Sequence, residues 1–165
     1  MKLLLHACCG PCSLEPVRIL AEAGHDITIA YLNSNIAPAS EYEHRLETLL
    51  EWAKSQNIPV IEGPYEPANW QNAIKRSWNG TQENRADRCR ACYRIRLEEL
   101  ARYAYKHGFE GIGTTLTVSP YQYIGIINEE LERAAAPYEG LSAAFQDFRE
   151  FYPQATIRSR ELGMY

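Results

Sequence analysis

The sequence predicts an α/β fold, with a mostly parallel sheet and helices on both of its faces. Three observations predict it. Short apolar runs alternate with longer segments of helical period, glycines and cap-type residues separate them, and neither repeats nor low-complexity tracts interrupt the order. The 165 residues, 45% hydrophobic and 23% charged, make one domain over 1–165, long enough to bury a core.

Residues 2–7 (KLLLHA) read as a short buried strand. Ser13 has the chemistry of a helix cap. Pro16 then falls in the first turn, where proline is tolerated, Leu14, Val17, Leu20 and Ala21 share a face, and Gly24 stops the helix. Residues 26–32 (DITIAYL) give a second strand. Ser40-Glu41-Tyr42-Glu43 has the form of a capping box, opening a helix with Tyr42, Leu46, Leu49, Leu50 and Ala53 on its apolar side. Ile58–Ile61 is a third strand, helical pattern resumes over 66–78, and a polar loop follows (NGTQENRAD, 79–87). From Cys89 to Lys106 the period is helical, with Cys92, Leu97, Leu100, Ala101 and Ala104 inward and Gly108 as the stop. Residues 110–116 (EGIGTTL) form a fourth strand. Ser119-Pro120 suits the start of a helix reaching about Ala135. Residues 141–150 fit strand or helix equally, and a short helix covers 154–162.

In parallel sheets of this kind, ligands bind beyond the carboxyl ends of the strands. The first strand delivers Cys8, Cys9 and Cys12 to that edge. The second and fourth bring Asn33-Ser34-Asn35 and Thr114-Thr115. Net charge is −4, which does not advertise nucleic-acid binding, yet it is uneven: Lys75 to Lys106 holds nine Lys/Arg against four Asp/Glu. That segment suits a phosphate backbone or, equally, a solvated helix face.

No run approaches the ~20 apolar residues of a membrane helix. The expected location is the reducing cytoplasm, where clustered cysteines bind metal or do redox chemistry more often than they form structural disulfides. Cys9-Gly10-Pro11-Cys12 has the form of a thioredoxin-type redox motif at a helix start. Its place after the first strand, the preceding Cys8 and a second pair, Cys89-x-x-Cys92, weaken that reading. The i,i+3 spacing sets both sulfurs of a pair on one face of a helix, so two such pairs at the open ends of two helices can converge on one inorganic centre. Structural zinc would use four ligands, with pairs spaced by roughly 15–20 residues, and would leave a thiol over. An iron–sulfur cluster accepts cysteines from scattered positions and leaves room for a further ligand. Arg88, Arg90 and Arg94 are placed to offset its negative charge.

The pattern resembles the cobalamin-independent epoxyqueuosine reductases of the QueH family. The matching stretches are LLHACCGPCS (4–13), Asn33-Ser34-Asn35-Ile36-Ala37-Pro38, Glu41-Tyr42 with Arg45, RCRACYRIRLE (88–98), Thr114-Thr115-Leu116 and Ser119-Pro120-Tyr121-Gln122. The resemblance implies a three-layer Rossmann-like sandwich of the adenine-nucleotide-hydrolase (HUP) type. It implies reduction of epoxyqueuosine to queuosine in a tRNA anticodon loop, with electrons from a donor the sequence leaves open. It further implies that Cys8, Cys9, Cys89 and Cys92 bind a [4Fe–4S] cluster with a neighbouring metal ion, iron or zinc, and that the position of Cys12, Asp in some members, supplies a further ligand. One departure stands at the end: the family pattern continues past Gly163-Met164-Tyr165 with a Cys-Gly-Cys stretch, where this sequence ends.

Candidate substrate contacts within these stretches are Asn33, Asn35, Arg88, Tyr93, Arg94, Thr114, Thr115, Tyr121 and Gln122. Tyr93 and Tyr121 offer aromatic faces to an unstacked base, and the arginines offer charge to phosphates. Asn33 and Asn35 suit turns as well as ligands. His6 and Tyr93 are the candidates for proton transfer, although a histidine in a buried strand is more often a hydrogen-bonded core residue. A nucleotide-using tRNA-modifying enzyme of the PP-loop kind would need a Gly-rich phosphate loop after the first strand, and Cys8-Cys9-Gly10-Pro11 occupies that place. A zinc-stapled RNA-binding module is the non-enzymatic alternative.

Overall fold

A computed structural model describes residues 1–77 and 85–164. Five parallel strands, β1 (Lys2–His6), β2 (Asp26–Tyr31), β3 (Val60–Glu62), β4 (Gly111–Thr114) and β5 (Ser142–Ala143), pair in the order β3-β2-β1-β4-β5. Helices α1 (Gly10–Glu22), α2 (Ala39–Ser55), α3 (Pro67–Ser77), α4 (Arg85–Lys106), α5 (Ile124–Ala135) and α6 (Tyr152–Glu161) cover both faces. Alternation along β1 divides the core. Leu3 and Leu5 face Leu14, Val17, Leu49 and Trp52 of α1 and α2, whereas Leu4 faces Leu97, Leu100 and Leu131 of α4 and α5. Outside these, α6 packs on α1 and α3 on α4, completing a three-layer sandwich.

The interior strands and the inward face of α4 lie where hydrophobic period places them, and Gly24 and Gly108 end α1 and α4 with φ of 93° and 77°. Helix starts differ. α1 opens at Gly10 with Cys9 as an extended N-cap, so Ser13 is inside it and its hydroxyl donates to the Cys9 carbonyl at 2.7 Å. Pro16 is therefore interior and buried. Ser40 makes no cap hydrogen bond, because α2 has already begun at Ala39 behind Pro38. Leu50 and Ala21 face solvent, and Trp52 takes the place in the core. Ser119-Pro120 does not start α5: the Ser119 hydroxyl accepts the Tyr121 N–H at 3.2 Å, a local turn that delays the helix to Ile124. Residues 141–150 resolve into two-residue β5 and a 3-10 turn at Arg149–Phe151. Of the polar loop expected at 79–87, residues 79–84 lie outside the described residues, and Arg85–Asp87 belong to α4.

Two nearly inaccessible carboxylates tie the outer helices down. Glu15 of α1 meets Arg18 at 2.7 Å and Arg158 of α6 at 2.9 Å, and Glu130 of α5 meets Arg90 at 3.0 Å and Arg94 at 2.7 Å. Burial alone would raise both carboxyls, but the arginine hydrogen bonds outweigh it and hold both below their ordinary value. A carboxyl depressed in the folded state contributes stability above its unfolded pKa and loses it as pH falls through the folded one. Unfolding free energy is therefore expected to decline below about pH 4.5, and Glu15→Gln should flatten that decline. Denaturant melts at stepped acidic pH read this directly, and an unchanged slope in the variant would contradict it.

Candidate metal centre

β1 and the loop after it build the site. β1 is central, paired with β2 and β4, so its carboxyl end is fixed by Thr114 on one side and by the loop after β2 on the other. His6 is inaccessible there. Its Nδ1 lies 3.0 Å from Thr114 Oγ1 and its Nε2 3.1 Å from Asn33 Oδ1. Asn33 Nδ2 donates to the Ala7 carbonyl at 2.8 Å, so Oδ1 faces the imidazole and accepts its Nε2–H. Burial first, and then the Arg96 charge, push His6 down to about 4, so it is a neutral hydrogen-bonded strut.

Immediately beyond it, the Cys8, Cys9 and Cys12 sulfurs all lie within 4.8 Å of one another, with Cys8 and Cys9 4.0 Å apart. Cys9 is the N-cap of α1 and Cys12 lies in its first turn, where the helix dipole favours thiolates. Hydrogen bonds from Cys12 and Cys9 hold the Cys8 thiol well below its ordinary value. Its hydrogen bond with Cys12, then that of Cys9 and burial, drive the Cys12 thiol well up. For Cys9 the Cys12 contact lowers the thiol, but Cys8 and burial prevail and push it up to about 12. Thiols held this close are an arrangement that a bound cation would convert to thiolates. Three soft sulfurs fit iron, zinc or a cluster, and suit magnesium or calcium poorly.

Cys89 and Cys92 stand on the second turn of α4, which begins at Arg85, so the pair lies inside the helix rather than at the open end the sequence suggests, and they do not join the 4.8 Å group. They border the same region. Cys8 and Cys89 both pack against the core beneath α4 and α5, and a hydrogen-bonded chain joins Cys92 to the β1 end. Arg96 donates to Cys92 Sγ at 3.2 Å and to Asn33 Oδ1 at 3.5 Å, and Asn33 holds His6. Trp70 Nε1 of α3 donates to the same Cys92 sulfur at 3.1 Å. Burial raises the Cys89 thiol against the pull of Arg85 and Arg88.

The remaining candidates scatter around this edge. Tyr93 is buried and donates to Gln122 Oε1 at 2.5 Å. Burial pushes it up to about 12. Thr115 is inaccessible, and Thr115 Oγ1 and Asn35 Oδ1 are buried polar atoms with no hydrogen-bond partner among the described residues. Tyr121 is 76% exposed, edge-on to Tyr152. The Arg88 guanidinium lies 5.6 Å over the Trp70 ring. Arg90 and Arg94 spend their charge on Glu129 and Glu130 rather than turning it toward the sulfurs. Arg96 and Trp70 were not among the residues singled out from sequence. The i,i+4 spacing of Arg96 from Cys92, on the face that also carries Leu97 and Leu100, was a usable signal. Trp70 has none, because its contact depends on how α3 docks on α4.

The fold and the site together define a Rossmann-like sandwich with a thiol group, able to hold a metal or cluster, at the carboxyl edge of its sheet. Residues 3–165 match the family model described as epoxyqueuosine reductase QueH, and the chain belongs to that family. It is 38% identical to the epoxyqueuosine reductase QueH of Haemophilus influenzae over 84% of this chain and 56% of that protein. The figures for the relative of the same name from Acinetobacter baylyi are 38%, 83% and 62%. For that of Thermotoga maritima they are 32%, 98% and 83%. The chain thus spans 56% and 62% of the length of the first two. A solved structure titled as a predicted subunit of tRNA methyltransferase from Methanocaldococcus jannaschii superposes with a TM-score of 0.58 at 14% identity, covering 98% of this chain and 76% of that one. That likeness shows the fold, a parallel sheet between two layers of helices as expected above. No helix among the described residues is long and apolar enough to cross a membrane.

Proposed function

We propose that this chain reduces epoxyqueuosine to queuosine in tRNA, in the cytoplasm, at a centre held by Cys8, Cys9, Cys89 and Cys92 with Cys12 beside it. The observation that carries the reading is the thiol triplet at the sheet edge, joined through Asn33 and Arg96 to Cys92 of the second pair in a member of the QueH family. These cysteines would hold a [4Fe–4S] cluster, which would supply one-electron chemistry, with a neighbouring iron or zinc ion that would supply a Lewis acid. The chain's own residues hold and orient. His6 and Asn33 fix the β1 end that carries the thiols, and helix α1 presents its amino end to them. Thr115 Oγ1 and Asn35 Oδ1 are buried beside this edge with hydrogen-bonding capacity unspent. Tyr121 offers an exposed aromatic face for a neighbouring base.

The test is anaerobic purification, iron and sulfide analysis, and assay of the nucleosides of epoxyqueuosine-containing tRNA after adding a low-potential reductant. Queuosine formed by an iron- and sulfide-containing protein supports the reading. Full zinc occupancy with neither iron nor conversion would favour the zinc-stapled module instead.

Arg85 and Arg88, on the first turn of α4 beside Cys89, are the proposed phosphate contacts. Arg85→Ala with Arg88→Ala is expected to weaken tRNA binding and to reduce the slope of log K against log salt by about two. An unchanged slope in filter-binding titrations would reject the patch.

A further inference from the structure

Arg96 is 6% exposed. The ion pairs found among the described residues all use other cations, and none reaches Arg96. Its guanidinium donates instead to the Cys92 carbonyl at 3.4 Å, to Cys92 Sγ at 3.2 Å and to Asn33 Oδ1 at 3.5 Å. An arginine stays charged at any physiological pH, and a buried cation without a counter-charge is costly. Two neutral oxygens do not supply that charge. The remaining partner among the described residues is sulfur, and Arg96 also reaches the end of β1 that carries the other arm, because the Asn33 Oδ1 it donates to is the atom that holds His6. The cation therefore stands between the two cysteine arms.

We infer that Arg96 is a positioning residue whose charge balances an anionic, thiolate-held group shared by the two cysteine arms, fixing the Cys92 sulfur and favouring the reduced state of that group. This rests on the cluster reading above. Each electron taken up adds negative charge beside a fixed cation in a region of low dielectric, so the cation raises the reduction potential. Its two hydrogen bonds to Cys92 also orient the ligand.

The experiment compares anaerobically loaded wild type with Arg96→Gln and Arg96→Lys by spectroelectrochemical titration, by the gain in Tm on loading, and by the rate of cluster release to a chelator. Arg96→Gln is expected to have a lower midpoint potential, a smaller loading gain in Tm, and release about ten- to a hundredfold faster. Arg96→Lys, which keeps the charge and loses the planar fork, is expected to retain the wild-type midpoint while release quickens severalfold. A purely structural arginine would lower Tm equally with and without the cluster and leave the midpoint alone. That result, or a Gln variant indistinguishable from wild type, overturns the inference. Should the Gln variant fail to fold, the Lys variant decides: a wild-type release rate, or a lowered midpoint, overturns it. A wild-type protein that takes up no iron defeats the cluster reading and this inference together. A wild type that loads normally but is indifferent to Arg96 defeats this inference alone.

Discussion

A protein carrying Cys89→Ala and Cys92→Ala is expected to lose its brown colour, its iron and sulfide, and all measurable conversion of epoxyqueuosine, while remaining folded. The two residues lie on the second turn of α4, whose inward face is held by Leu97, Leu100, Ala101 and Ala104, all inaccessible. Removing two sulfurs from that turn leaves the packing beyond it in place. The loss that does fall on stability comes from Cys92, which accepts hydrogen bonds from Trp70 and Arg96. Without it the two donors are left short of a partner, at a cost of about 1–3 kcal/mol. Cys8, Cys9 and Cys12 remain within 4.8 Å, so a residual single metal ion at the triplet is compatible with the account. Retention of the full cluster and of turnover is not, and metal analysis with an anaerobic nucleoside assay separates the two.

The second large effect is on stability. Leu5 is inaccessible at the centre of the sheet, paired in register with Ile29 and Gly113, and it belongs to the core beneath α1 and α2. Leu5→Ala is expected to cost about 2–5 kcal/mol, because the strands on either side cannot close over the void. Leu5 also precedes His6 on the strand that carries the thiols, so cluster retention should fall with stability. Denaturant unfolding measures the first, and a change below about 1 kcal/mol would mean that β1 is not the buried centre of this sheet.

Much of this was legible from local pattern. KLLLH, DITIAY and GIGT are apolar and bounded by turn residues, and burial on both faces is what a central parallel strand requires. The clustering of Cys8, Cys9 and Cys12 needed only the turn into α1. The misread helix starts share a cause. Ser13, Ser40 and Ser119 all have cap chemistry, but the same hydroxyls serve inside a first turn or in a local turn, and only the surrounding chain decides which. The Arg96 link was hidden for a different reason. It depends on the pairing of His6 with Ala30 and Thr114 and on α4 lying over that face, contacts between residues far apart in sequence. Arg90 and Arg94 looked like partners for the sulfurs until α5 brought Glu130 beneath them.

The central claim is that thiols from the two ends of residues 8–92 share one set of inorganic atoms. An iron-edge anomalous map from anaerobically grown crystals tests it most directly. The account predicts iron within bonding distance of the sulfurs of Cys8, Cys9, Cys89 and Cys92 together. Anomalous density bound by Cys8, Cys9 and Cys12 alone, with ordered Cys89 and Cys92 turned elsewhere, would contradict it.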